Sequence, residues 1–177
     1  MSPESLSAIA EKGAEFKVVC KTGTMQLDKD VIGTLTDPKK DVTVIMYEPT
    51  DSDLTEAQVS AKGDRFGVSM HAVVGEDRYH MLGGKVTVTI PYVIDADSDF
   101  NYGIFYIDEQ GVRTFMNSVY DEIMKAFVFE TDHFSLFVVD EVPAPAEDTD
   151  DNTILYIGIV VGAIIVIAVM AVFLRKH

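Results

Sequence analysis

A continuous apolar segment near the C-terminus constrains this chain more than any other feature. Residues 154–174 read ILYIGIVVGAIIVIAVMAVFL, with no charge and no proline. A helix rises about 1.5 Å per residue, so a helix of this length spans roughly 30 Å, the thickness of a bilayer's hydrocarbon core. The run also lacks the polar face that a helix on a soluble domain shows to water. We therefore predict a transmembrane helix over residues 153–174.

The charges flanking this segment predict its orientation. Residues 141–152, EVPAPAEDTDDN, form an acidic Pro/Ala linker without a base, whereas residues 175–177 are Arg-Lys-His. Short cytoplasmic segments are enriched in Lys and Arg. We expect residues 1–140 to form an extracellular domain and residues 175–177 a cytoplasmic stub, which makes the chain a single-pass protein of the cell membrane with its N-terminal domain outside.

The first residues raise a question about export. MSPESLSAIAEKGAEF has neither the basic region nor the apolar core of a signal peptide. Either the chain is the C-terminal part of a longer exported protein, or its start is wrongly placed. A third alternative is a tail-anchored protein with a cytoplasmic domain, and the flanking charges argue against it. We expect the first.

Composition excludes some partners. The formal net charge is −15, and all 29 Asp and Glu residues precede residue 153. Such a chain is repelled by nucleic acid, so we expect no DNA or RNA partner. The single cysteine, Cys20, excludes a disulfide framework within the chain. We interpret Cys20 as a small buried hydrophobe, with an intermolecular disulfide as the alternative.

The pattern of the first 140 residues predicts a mainly β fold. Two short helices are expected, one over residues 3–12 after the N-cap Ser2, and one that begins at Asp53 and ends at Gly63. Short runs rich in Val, Ile, Phe and Tyr alternate with turn-like segments such as Gly83-Gly84. In GKVTVTIPY the residues Val86, Val88, Ile90 and Tyr92 share one face. These runs predict an antiparallel β-sandwich-like domain, followed by the C-terminal transmembrane α-helix.

Several of these runs resemble a known module. GKVTVTIPYVI, YGIFYIDEQGVRTFMNS and FVFETDHFSLFVV are similar to a membrane-proximal β-rich module of large bacterial (clostridial-type) and archaeal cell-surface proteins. That family has a GKVTVSIPY-like strand, a VYYIDDNG hairpin and a closing FxTDHFSxYxV segment. The resemblance covers roughly residues 3–140. It implies a structural or interaction module that precedes an anchor, with no catalytic residues to carry over.

The TDHFS segment has two interpretations. Asp132 and His133 are typical of a structural turn, in which Asp132 accepts backbone N–H bonds and His133 holds the neighbouring strand. Nucleophilic catalysis by Ser135 is the alternative, but it needs nucleophile, base and acid to converge. Adjacent residues of a strand point to opposite faces, so we expect Asp132 and His133 not to meet. We predict no enzymatic activity.

Metal sites are the next candidates. Asp95, Asp97 and Asp99 open like a calcium loop, but Phe100 and Tyr106 occupy the positions where an EF-hand needs Gly and Glu. A looser calcium site remains as one interpretation, and a solvated acidic turn is the other. His71 and His80 have no zinc-site spacing, so we expect surface or rim histidines.

Within the apolar segment, Gly158 and Gly162 form a G-x-x-x-G pattern that favours close helix packing and a helix-mediated homodimer. We expect the lipid bilayer to be the first partner, with other cell-surface proteins or glycans as further partners and no obligatory cofactor. The predicted function is that of a membrane-anchored structural or spacer module. The alternative is an adhesin or receptor-type module that recognises a glycan or protein, with calcium assisting.

Overall fold

Antiparallel β-sheet dominates the computed structural model, which describes residues 1–95, 98 and 100–142; within these residues there are eleven strands and three short α-helices. The strands are β1 (Phe16–Cys20), β2 (Gly23–Leu27), β3 (Val42–Tyr47), β4 (Gly67–Val74), β5 (Asp77–Tyr79), β6 (Met81–Pro91), β7 (Tyr102–Ile107), β8 (Arg113–Phe115), β9 (Ser118–Asp121), β10 (Ala126–His133) and β11 (Leu136–Glu141). The helices are α1 (Pro3–Glu11), α2 (Lys29–Leu35) and α3 (Glu56–Lys62), with a 3₁₀ turn at Asp51–Asp53. The mainly β prediction is confirmed, although two helices were expected rather than three.

The strands form two sheets. The first has the order β1-β2-β6-β10-β9, and the second has the order β3-β4-β11-β7-β8 with β5 paired to β4. All pairings are antiparallel. The chain changes sheet five times, between β2 and β3, β5 and β6, β6 and β7, β8 and β9, and β10 and β11.

One apolar core lies between the sheets, and side-chain alternation along the strands builds it. Val86, Val88 and Ile90 of β6 are fully buried, with Tyr92 packed against the same core, as the alternation of GKVTVTIPY predicts. Phe127 and Phe129 of β10 contribute from the same sheet. The second sheet contributes residues from four of its strands: Val42, Met46, Met70, Ala72, Val74, Ile104, Phe137 and Val139.

Local capping explains where α1 and α2 begin. Ser2 caps α1, and Pro3 occupies the first helical position, where its missing N–H is no loss. Asp28 caps α2 by accepting hydrogen bonds from the backbone N–H groups of Asp30 and Val31. The second carboxylate oxygen of Asp28 accepts the Lys85 N–H at 2.8 Å, so the cap also fastens α2 to β6.

The expected start of α3 is wrong by two residues. Asp53 belongs to the preceding 3₁₀ turn, where its carboxylate accepts the Thr50 N–H. Thr55 is the true N-cap, and Thr55 and Gln58 exchange the two hydrogen bonds of a capping box. The predicted stop is correct, because Gly63 is the C-cap with a φ of +53°.

The expected turn at Gly83-Gly84 is also wrong. β6 continues through both glycines, and its pairing with β10 skips there, since Thr131 pairs with Val86 but His133 pairs with Met81. Several residues of β6 therefore bulge away from β10 at this point. The glycines mark an irregularity inside a strand rather than a chain reversal.

The strands run between two ends of the fold. At the exit end, β6 ends at Pro91, β7 begins at Tyr102 and β11 ends at Glu141, where the described part of the chain stops at Val142. At the distal end, β4 ends, β6 begins, and Val42 exchanges hydrogen bonds with Met1. Met1–Val142 form one compact unit.

Several predictions concern residues that are not described. The linker beyond Val142, the transmembrane helix at 153–174 and the stub at 175–177 lie outside the described residues, as do Asp97 and Asp99. Among the helices within the described ranges, none is long and apolar enough to cross a membrane.

Candidate functional site

A cleft of about 760 Å³ opens at the distal end of the fold. Strand ends, the segment before α3 and the β7–β8 turn surround it. It gathers three histidines, an arginine, several acids and amides, and one tyrosine ring. The lining includes Asp53, Thr55, Gln58, Ser69, His71, Arg78, His80, Met81, Tyr106, Asp108, Glu109, Gln110, His133 and Ser135.

Two of the crossings between the sheets, β5–β6 and β10–β11, border this cleft. They run side by side, because the Phe134 N–H donates to the carbonyl of His80 at 2.9 Å. The Met70 N–H donates to the carbonyl of Ser135, also at 2.9 Å, which joins β4 to the second crossing. Three segments that are far apart in sequence therefore meet at one point.

The opposite wall comes from the segment that leads into α3. The Thr55 hydroxyl donates to the carbonyl of Glu109 at 2.9 Å, and the Gln58 side-chain amide donates to the carbonyl of Ile107. Gln58 is one of the few buried polar side chains in the described part of the chain. These bonds fix the distance between α3 and the β7–β8 turn, so this wall is held by tertiary contacts.

His71 and His80 lie on the same wall. β4 and β5 form a tight hairpin in which Val74 pairs with Asp77 and Ala72 with Tyr79. Continuing that register places His71 beside His80. The ring of His71 packs edge-on against Tyr47, with centroids 5.8 Å apart. Burial, and then the charges of Arg78 and His80, hold the pKa of His71 below its ordinary 6.5.

Arg78 adds a fixed charge to this wall. Within the described ranges, the other two arginines, Arg65 and Arg113, both pair with Asp140, while Arg78 forms no ion pair. Its guanidinium gives this wall one positive charge. A polar ligand that reaches this wall can accept hydrogen bonds from the Arg78 guanidinium, which pairs with no carboxylate in the described part of the chain.

The facing wall is acidic, but its carboxylates serve local structure. Asp53 accepts bonds from Thr50. Asp108 accepts the backbone N–H groups of Gln110 and Val112 and thereby shapes the β7–β8 turn. Glu109 also lines this wall. The cleft is therefore polar on both sides with opposite charges across it.

The predicted divergence of Asp132 and His133 is wrong. Oδ1 of Asp132 lies 2.9 Å from Nδ1 of His133. The hydrogen bond with His133 holds the pKa of Asp132 below its ordinary 3.8. The contact forms although burial still alternates along this part of β10, with Thr131 buried, Asp132 exposed and His133 half-buried.

The His133 ring sits against aromatic side chains. Its centroid lies 4.6 Å from that of Tyr106, nearly perpendicular, and 5.8 Å from that of Phe137. Thr131 forms hydrogen bonds to the backbone N–H and carbonyl of His133. These hydrogen bonds and aromatic contacts hold the His133 imidazole in place at the crossing between β10 and β11.

A catalytic triad is not assembled at this crossing. The Ser135 hydroxyl donates to the carbonyl of Ile107 at 3.4 Å. Nε2 of His133, the nitrogen that would accept a serine proton, is buried and has no hydrogen-bond partner in the described structure. The acid and base meet, but serine and base do not.

The predicted metal and helix-packing residues fall mostly outside the described residues. Asp95 lies in the exposed loop after β6, but Asp97, Asp99, Gly158 and Gly162 are not described. Among the residues that are described, no group of three or more His, Cys, Asp or Glu side chains has metal-binding geometry. The calcium prediction therefore stays a prediction.

Comparisons of this chain with protein-family models, curated proteins and solved structures find no match.

Sequence reasoning missed Arg78 and Tyr106 as parts of the site. One local signal could have found the His71–His80 pair, because a hairpin that turns at Gly75-Glu76 brings residues 71 and 80 opposite each other. No local signal places these histidines in the same cleft as His133, because that arrangement depends on the crossings between the sheets.

Proposed function

We propose that this chain is a membrane-anchored structural module of a cell-surface protein. In this proposal the chain is the C-terminal part of a larger surface protein, with a β-sandwich-like domain outside the cell. Residues 153–174 anchor it as a transmembrane helix and residues 141–152 act as a short acidic spacer. Its role is passive, because it holds upstream parts of the protein at a fixed distance from the bilayer.

The positions of the first and last described residues carry the proposal. Met1 lies at the distal end, where its amine donates to the Val42 carbonyl at 2.5 Å. Val142 lies at the exit end, where its N–H donates to the Asn101 carbonyl at 2.7 Å. A spacer in series needs its chain to enter at one end and leave at the other. The positions of Met1 and Val142 at opposite ends of the strands support the proposal.

Alkaline extraction tests the anchor. Membranes from cells that express the full chain are washed with sodium carbonate, and a variant that ends at residue 152 is the matched control. The proposal predicts that the full chain stays in the membrane pellet while the shorter variant is released. Release of the full chain would contradict the proposal, because a transmembrane helix resists alkali.

Ligand binding at the distal cleft is the second candidate function. The cleft lies at the end remote from the exit, where an upright module would present it to the surroundings. Its lining mixes rings such as Tyr106 with an unpaired Arg78 and side-chain amides, a combination that suits the hydroxyls and ring faces of a glycan or a polar protein segment. Under this candidate the module is an adhesin or receptor.

Thermal-shift measurements with a panel of neutral and acidic oligosaccharides and acidic and basic peptides test this candidate. A ligand that binds only the native state raises the melting temperature. Arg78→Gln should remove the shift, whereas Lys21→Gln, on the remote β1–β2 turn, should not. A shift that survives Arg78→Gln unchanged would place the ligand elsewhere, and no shift with any ligand would favour the passive spacer.

Calcium assistance has a separate test. Scanning calorimetry of the full chain in detergent is repeated with calcium and with a chelator. If calcium supports a loop of a binding module, the melting temperature should be higher with calcium. If the chain is a passive spacer, the melting temperature should not change. Asp95→Asn combined with Asp97→Asn is the control for the site.

A further inference from the structure

Four large apolar side chains project from the exit end of the domain. The exposed fractions are 77% for Val93, 59% for Phe100, 95% for Ile123 and 56% for Met124. We call these four residues the apolar tips. Scattered exposed hydrophobics are ordinary in soluble proteins, but these four lie on two neighbouring connections, β6–β7 and β9–β10.

Hydrogen bonds hold the two connections together at this end. The Tyr92 N–H donates to the carbonyl of Lys125 at 2.9 Å, which places the start of the β6–β7 connection beside the β9–β10 turn. Asp121 accepts the N–H groups of Ile123 and Met124 and so shapes that turn. The turn therefore presents both side chains from a fixed backbone rather than from a loose loop.

The chain leaves the domain beside the same tips. The hydrogen bond from Val142 to Asn101 joins the last described residue to the neighbour of Phe100. Eleven residues, 143–153, separate Val142 from the apolar segment. A chain of that length reaches at most about 40 Å when fully extended. A bilayer that holds the apolar segment is thus within reach of the tips.

We propose that the exit end rests on the lipid bilayer, with the apolar tips in the interface of a membrane whose headgroups carry no net charge. This inference depends on the proposed membrane anchor. The same connections carry four acids, Asp95, Asp97, Asp99 and Glu122, and one base, Lys125, which pairs with Glu122. These acids repel anionic headgroups, and they also repel the same end of a second copy, so a neutral headgroup region is the surface that fits both the apolar and the acidic residues.

Tryptophan fluorescence tests this placement, because the chain contains no Trp. Ile123→Trp introduces a single probe at the most exposed tip, and Met81→Trp, at a side chain 66% exposed at the distal end, is the matched control. Each full-length variant is reconstituted into phosphatidylcholine vesicles that contain spin-labelled lipids. The proposal predicts a blue-shifted, strongly quenched emission for the Ile123→Trp variant and an unquenched, water-like emission for the Met81→Trp variant.

A second set of variants separates contact from mere proximity. Val93→Trp reports on the other connection, and adding Ile123→Glu and Met124→Glu to it should abolish its quenching, since charges disfavour burial in the interface. Adding anionic lipid should also reduce the quenching. Quenching that survives both changes would overturn the proposal, as would equal quenching at Trp probes placed at positions 81 and 123.

Alkaline washing of the same vesicles separates this inference from the anchor. If carbonate releases the full-length protein, the proposed function itself fails. If the protein remains inserted and the Ile123→Trp emission is unquenched, the anchor stands and only the contact of the apolar tips with lipid is wrong.

Discussion

Asp140 joins two separate parts of the second sheet's outer surface through two arginines. Its carboxylate pairs with Nε of Arg65 at 2.7 Å, outside hydrogen-bonding geometry for that N–H, and also with Arg113. The Arg113 guanidinium lies over the Phe105 ring, 4.7 Å from its centroid. The Asp140 side chain is only 15% exposed, so water screens these contacts less than it screens surface pairs.

Asp140→Asn should therefore lower the free energy of unfolding by about 1–3 kcal/mol at neutral pH, the range for losing a hydrogen bond to a charged group. Chemical denaturation of the domain measures it. Asp77→Asn, which breaks the exposed pair of Asp77 with Lys40, is the control and should have a much smaller effect. Equal losses in the two variants would contradict a special contribution from Asp140.

The same substitution predicts a pH effect. Burial acts to raise the pKa of Asp140, but the contacts with Arg65, the Glu141 backbone and Arg113 prevail and hold that pKa below 3.8. The stabilisation is thus present above the ordinary pKa and is lost as pH falls through the folded-state pKa. The Asn variant should lose less stability than the wild type on acidification below about pH 4.

His71 predicts a second pH window. Because burial, Arg78 and His80 lower its pKa, the folded state favours the neutral imidazole. Stability is then complete above the ordinary value of 6.5 and declines as pH falls below it toward the folded-state pKa. Denaturation midpoints at about pH 7.5 and pH 5.5 should differ, and His71→Gln should reduce the difference. An unchanged difference in that variant would assign the effect to other groups.

At the scale of elements, α2 depends on a contact that only glycine permits. A Cβ atom on Gly84 would lie 2.5 Å from Oδ1 of Asp28 and 2.7 Å from the Val31 nitrogen, the two partners of the helix cap. In contrast, a Cβ on Gly33, inside the same helix, meets nothing within 4 Å. Two Gly→Ala substitutions of opposite sign are therefore expected around α2, one at Gly84 on β6 against the helix cap and one at Gly33 inside the helix.

We expect Gly84→Ala to lower the free energy of unfolding by about 1–3 kcal/mol, since it overpacks the capped end. Gly33→Ala should raise it by roughly 0.5–1 kcal/mol, because Ala favours a helix interior. Denaturant titrations of the two variants give the comparison. Similar losses in both would show that backbone freedom, rather than the contact with Asp28, makes Gly84 necessary.

Local signals predicted most elements, and tertiary contacts account for the errors. Ser2 and Pro3 located α1 because capping depends on adjacent residues. Asp53 was a wrong N-cap for α3 because both Asp53 and Thr55 carry a suitable oxygen. The Thr55–Gln58 capping box and the contact of Thr55 with Glu109 favour the second. β9 was not predicted as a separate strand, since its short sequence pairs only at the edge of β10.

At the scale of the whole molecule, the mainly β class followed from the spacing of short apolar runs, but the cleft did not. Its walls come from β4, the β5–β6 and β10–β11 crossings, and the segment before α3. The pattern of residues along the chain does not indicate that these segments meet. The Asp132–His133 contact was missed because strand alternation was expected to keep adjacent side chains apart, yet Oδ1 of Asp132 reaches Nδ1 of His133. Long-range pairing therefore decides the position of the cleft.

We propose that the domain lies outside the cell and is held by the C-terminal segment. An immunoblot with antibody to residues 1–140, on native cells before and after mild protease shaving, tests it most directly. We expect a band well above 19.5 kDa that disappears when intact cells are treated with protease. A band near 19.5 kDa that survives shaving of intact cells, but not of lysed cells, would place the domain in the cytoplasm and contradict the account.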